Sequence, residues 1–166
     1  MERTELGRTP VSEANPTGDD VRFEPEYEEL DNELSKLSSP TASGSVEWDK
    51  IVRLSTTILA EKSKNLTVAT YLSVGLMESD GIGGLADGVQ VLRDLLETYW
   101  ENMYPPAKRM RGRMNAFVWW HERIDAKTAD LSPVTWPKAK REGFQENLAF
   151  IDSFLAEKSD DAPVMR

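Results

Sequence analysis

The chain contains no cysteine. Disulfides and thiolate chemistry are thereby excluded, and the absence fits a cytoplasmic address. It has one histidine, His121, so multi-histidine metal sites are excluded too. No run of about 18 apolar residues occurs, so no membrane-inserting helix is expected. The opening stretch MERTELGRTPVSEANPTGDD has no apolar core and does not read as a secretory signal. Positive charge is in short supply: 20 Lys and Arg stand against 29 Asp and Glu, for a net charge of -9. Such a chain is repelled by phosphate backbones and anionic lipid, which argues against nucleic acid and membrane surfaces as partners.

What is present fits one globular domain. The 166 residues suffice for a real core, and 39% apolar and 30% charged residues are ordinary for a soluble protein. Residues 1–22 are polar, carry Pro10, Pro16 and Gly18, and read as an extended or disordered lead-in. Phe23, Tyr27, Leu30, Leu34 and Leu37 then recur at helical steps, with Pro25 suited to a first turn. Residues 38–45 read as a loop, and Ser45 is placed to cap a second helix with Trp48, Ile51, Leu54 and Ile58 on its face. Residues 65–79 nearly alternate in the manner of a strand, but their length favours a helix, which Asn65 can cap. Leu85, Val89, Leu92, Leu96, Tyr99 and Met103 mark the next helix, ended by Pro105-Pro106. Further helices are expected over 109–128 and 138–157, separated by the loop LSPVTWPK and followed by a polar tail, 159–166. The expectation is an all-α bundle of about six helices, with the domain spanning 23–158.

Within it, Gly81-Ile82-Gly83-Gly84-Leu85-Ala86 matches the G-x-G-x-x-G/A pattern of a dinucleotide-binding loop. That loop needs a strand before it and a second strand ending in an acidic residue about 20 positions on. Glu101 stands there instead, in the same helix that opens near Gly84. The match therefore reads as a tight corner between helices. Gly81 or Gly83 would supply the positive φ, and Gly84 would allow close packing. No cofactor is expected.

The other chemistry-bearing residues read as structural. His121 lies in WWHERID, where Asp125 occupies the place of a zinc helix's second histidine, so it reads as a hydrogen-bonded, partly buried side chain. No G-x-S-x-G elbow supports a serine nucleophile. Asp19-Asp20 and Asp160-Asp161 read as solvated charge. The basic cluster KRMRGR, with Arg109, Arg111 and Arg113, either pairs with the acidic helix carrying Glu24, Glu26, Glu28, Glu29, Asp31 and Glu33, or docks an acidic protein partner. Phe117, Val118, Trp119 and Trp120 would encircle a helix. Either that helix is central, the commoner arrangement, or Trp119 emerges as an interface anchor.

Several segments together resemble the N-terminal domain of the ImpA/TssA family of bacterial type VI secretion proteins. They are Gly18, Asp19, Asp20, Arg22 and Phe23; Trp48 opening a helix; Ser63-Lys64-Asn65-Leu66; Gly81 to Leu85, including Gly84; and Tyr99-Trp100 with Tyr104-Pro105. Asn65 stands where the family usually has Asp; both cap helices. The resemblance spans residues 16 to about 125. It implies a non-catalytic protein-interaction domain that docks baseplate, sheath or tube components in the cytoplasm. The alternative it leaves is a structural or self-associating module that orients a C-terminal region.

Overall fold

The computed structural model describes residues 2–37, 46–128 and 137–158. The helices are α1 (Pro25–Leu34), α2 (Trp48–Glu61), α3 (Leu66–Tyr99), α4 (Met110–Thr128) and α5 (Lys138–Lys158), with 3-10 turns at Arg3–Glu5, Ser35–Leu37 and Ala107–Arg109. Among the described residues only isolated bridges occur and no strand. The class is all-α. The loop at 38–45, Ser45 with it, most of the loop after α4 and the tail 159–166 lie outside the described residues. α2 opens at Trp48 with Glu47 as its N-cap, later than a Ser45 cap would place it.

The helix count is five rather than six because two helical arms of α3 follow each other with no loop between them, only a reversal at Gly81. Gly81 stands at φ 67° and ψ -143°, a conformation open only to glycine without strain. Arm 82–99 returns along arm 66–80. A methyl on Gly84 would overlap the Leu76 carbonyl, and one on Gly88 would overlap the Ser73 backbone. The two arms are thus a helical hairpin whose contact face is glycine. Both arms are buried on nearly every side: Leu66, Val68, Leu72, Val74 and Leu76 in the first, and Leu85, Val89, Leu92, Leu95 and Leu96 in the second. This accounts for the strand-like pattern of 65–79, since an all-round apolar helix loses its 3.6-residue period. Asn65 caps it as expected, its side chain accepting from the Val68 amide at 3.1 Å.

α3 is therefore the centre, with α2, α4, α5 and the N-terminal segment packed on it and α1 packed on α2. α4 is not central. Met114, Phe117 and Trp120 are buried, Val118 and Trp119 are half-buried, and Arg111, Asn115, Glu122, Asp125 and Ala126 are exposed. The buried Trp120 donates its indole N–H to the Ser73 hydroxyl at 2.9 Å.

Residues 2–22 are anchored rather than leading in freely. Leu6 and Val21 are buried. Arg3 pairs with Asp80 (2.7 Å) and Asp87 (2.8 Å), and Arg8 pairs with Asp94 (3.1 Å). The Tyr99 hydroxyl donates to the Arg8 carbonyl at 2.8 Å. The segment is polar because charges and main-chain bonds hold most of it, so composition alone hides its packing.

Candidate docking surface

Many of the family-motif residues meet at one internal junction. Segment 62–66 runs between residues 17–19 and Tyr104. The Asp19 amide donates to the Lys62 carbonyl (3.0 Å), Lys64 to Thr17 (2.7 Å), Tyr104 to Lys64 (3.0 Å) and Leu66 to Tyr104 (2.6 Å). Gly18, at φ 69°, is there because any side chain would overlap the Lys62 carbonyl. Lys64 has no exposed surface and makes no ion pair among the described residues; its ammonium donates to the carbonyls of Leu6 and Leu59, both at 2.7 Å. Burial pushes its pKa down to about 8. Leu66 and Leu85 are core residues, Trp100 is nearly so, and Trp48 is half-buried at the start of α2. Tyr104 and Pro105 are half-buried.

Arg113 belongs to this junction and not to a docking patch. It is 0% exposed and donates to the carbonyls of Pro105 (2.7 Å), Trp100 (2.7 Å) and Met103 (2.9 Å). Its guanidinium lies 4.6 Å from the Trp100 ring centre. Its three acceptors are main-chain carbonyls of the cap and of the turn that follows the end of α3 at Tyr99. The sequence held a signal for this: Arg113 precedes Phe117 by four residues and Trp120 by seven, on the same buried face.

Nor does the basic cluster pair with α1. The acidic helix takes other cations: Glu26 with Lys62 (3.4 Å), Glu29 with Lys50 (3.7 Å) and Glu33 with Lys36 (2.9 Å). Glu33 is buried and also accepts from the Glu47 amide at 2.9 Å, which with Lys36 holds its carboxyl below the usual carboxylate range. Lys108, Arg109 and Arg111 are exposed and make no ion pair among the described residues. His121 is half-buried on α4, and no group of three metal-ligating side chains occurs among the described residues.

The exposed apolar feature is Phe23, 90% accessible and the one large hydrophobic side chain so exposed among the described residues. Its spacing predicts a place on the α1 face. In the fold it precedes the N-cap Glu24, because Pro25 starts the helix. A residue there commonly packs on the fourth helical position, but that position is Glu28, so no staple forms. Arg22 lies over the Phe23 ring at 5.5 Å and pairs with Asp20 at 3.2 Å. Asp20 and Arg22 both act on the phenol of half-buried Tyr27, whose pKa is raised first by burial. Tyr27 in turn neighbours Tyr71, whose phenol burial also pushes up. Tyr71 meets Trp119 edge to face at 5.1 Å and 79°. An aromatic ledge thus runs from Tyr27 through Tyr71 to half-buried Trp119, and exposed Phe23 precedes it by four residues in the chain.

Fold and surface define an all-helical module built around a glycine-faced hairpin, with its exposed chemistry aromatic and ionic. The family model "ImpA, N-terminal, type VI secretion system" matches residues 8–122, and the chain belongs to that family. It is 32% identical over 101 residues to the type VI secretion system component TssA1 of Pseudomonas aeruginosa, a match covering 57% of this chain and 29% of that protein. The match therefore covers under a third of that relative's length. Its fold is similar to that of the N-terminal domain, including the conserved ImpA_N region, of the TssA component from Burkholderia cenocepacia. The TM-score is 0.75 at 20% identity, covering 99% of this chain and 86% of that one. No helix among the described residues is long and apolar enough to cross a membrane.

Proposed function

We propose that this is a non-catalytic protein-interaction domain of a type VI secretion assembly component, acting in the bacterial cytoplasm. It docks baseplate, sheath or tube proteins through Phe23 and the ledge from Tyr27 to Trp119. The observation that carries the reading is Phe23: a phenylalanine held 90% exposed in a folded domain with a buried core available. Leaving such a ring in water forgoes about 1.5–3 kcal/mol of burial, which a partner recovers on binding. Aromatic and arginine side chains are the residue types that dominate binding energy at interfaces, and Arg22 lies over the Phe23 ring.

The test is pairwise binding of the purified chain to each sheath, tube and baseplate component. Replacing Phe23 with Ala is expected to weaken the true contact by about 2 kcal/mol, roughly thirtyfold. The fold should be unaffected, because the side chain touches little of the core. Affinity for every bound component that survives both Phe23→Ala and Trp119→Ala would remove the ledge from the mechanism.

A further inference from the structure

Phe23 does not stand alone on its surface. Glu24, Glu28 and Asp31 follow it at steps of four and three, all exposed, while the ion pairs of α1 use Glu26, Glu29 and Glu33 instead. They form one line of carboxylates along α1, without an ion pair among the described residues, about 10 Å long at 1.5 Å per residue. Elsewhere in the same chain lies a surface of the opposite sign. Lys108, Arg109 and Arg111 are exposed and unpaired among the described residues, at the start of α4. Arg111 and Asn115 continue along the exposed face of α4. Each surface has the same order: an apolar residue ahead of a helix, then charge along its first turns. Phe23 leads the first; half-buried Pro106 and exposed Ala107 lead the second. Within one molecule no ion pair joins the two among the described residues. α1 packs on α2, whereas the start of α4 is fixed to the end of α3 through Arg113.

We propose that these two surfaces form one interface, made head to tail between two copies of this chain. Phe23 packs on Pro106 and Ala107 of the neighbour, and the α1 carboxylates face Lys108, Arg109 and Arg111. The proposal deepens the docking reading and rests on it, naming a second copy as a partner of the Phe23 surface. Such a contact is heterologous, so each copy keeps one surface of each kind free, and the contact either closes a ring or propagates a chain. Exposed ion pairs contribute little each, and two copies carrying a net charge of -9 repel overall. The association is therefore weak and salt-sensitive.

Sedimentation velocity of the full chain tests this. At about 0.01 M salt, where charges act over about 30 Å, the wild type is expected to show concentration-dependent association; at about 1 M, where the range is about 3 Å, it sediments as a monomer. Two charge-reversed variants separate the surfaces: E24K/E28K/D31K and K108E/R109E/R111E. All six positions are exposed, so both variants fold, as circular dichroism would record. Each alone is expected to stay monomeric, whereas an equimolar mixture associates, because each restores the other's complement. A wild type that is monomeric at every concentration in low salt overturns the proposal. So does a mixture that stays monomeric while the wild type associates, or a Phe23→Ala variant that associates as the wild type does. None of these outcomes touches the pairwise assays with other secretion proteins, which stand or fall separately.

Discussion

Gly81 and Gly83 are two residues apart and should respond oppositely to alanine. Neither has a neighbour that a methyl would strike. Gly81 holds a positive φ that alanine resists, so Gly81→Ala is expected to destabilise by about 1–3 kcal/mol. Gly83 is helical, and there alanine should add up to about 1 kcal/mol by its better propensity. Thermal melts of the two variants decide it; shifts of equal sign would refute the assignment of the reversal to Gly81. Lys64 gives a second prediction. Its native pKa of about 8 lies below the ordinary 10.5, so between these values the unfolded chain binds more protons. Stability contributed by this group is thus fully present above 10.5 and lost as pH falls through about 8. Urea unfolding should show a gain of about 2 kcal/mol from pH about 7.5 to about 9.5 that Lys64→Met lacks. Tyr27, Tyr71 and Tyr99, all raised by burial, act in the opposite sense above pH 10 and bound the usable window. The same slope in both proteins would mean that Lys64 is not the group responsible.

Among the elements, the N-terminal segment departs most from its composition. Leu6 is its apolar anchor, Arg3 and Arg8 are its ionic ones, and the Leu6 carbonyl receives the Lys64 ammonium. A chain beginning at Thr9 should lose about 2–4 kcal/mol, from apolar burial and from an ammonium left short of an acceptor. Its helical circular dichroism should be nearly unchanged, since the removed part is one 3-10 turn. Undiminished stability would show that the segment rests on the bundle without supporting it. The helices themselves were far more legible. Asn65 announced the cap of α3, Pro25 the start of α1, and the Gly81 stretch a corner. What misled was local: Phe23 kept the helical period but fell before the proline that opens the helix. Arg113 hid among exposed cations, although its spacing to Phe117 and Trp120 marks the buried face.

For the whole molecule, composition gave the class and the sign of the surface but not its pairing. An acidic helix and a basic cluster in one sequence invite an intramolecular match. The fold instead supplies α1 with Lys36, Lys50 and Lys62, residues near it in sequence, on α2 or at its end, buries Arg113, and leaves Lys108, Arg109 and Arg111 without an ion pair among the described residues. Which helix sits at the centre was equally hidden. The aromatic run in α4 looked like a helix surrounded by others, yet the centre is the hairpin of α3, whose small residues let its arms touch. The hydrogen-bond acceptors of the buried Lys64 and Arg113 are all main-chain carbonyls, and no residue type in the sequence marks such partners.

The strapping of residues 3–8 onto residues 80–99 sets an order of events during synthesis. Arg3 waits for Asp80 and Asp87, and the Arg8 carbonyl waits for the Tyr99 hydroxyl. A ribosome adding about 5–20 residues per second needs about 5–20 s to travel that far. Throughout that interval Leu6 has no pocket. The part of this domain made earliest is among the last to find its place, and until then it is open to any protease or chaperone that meets it.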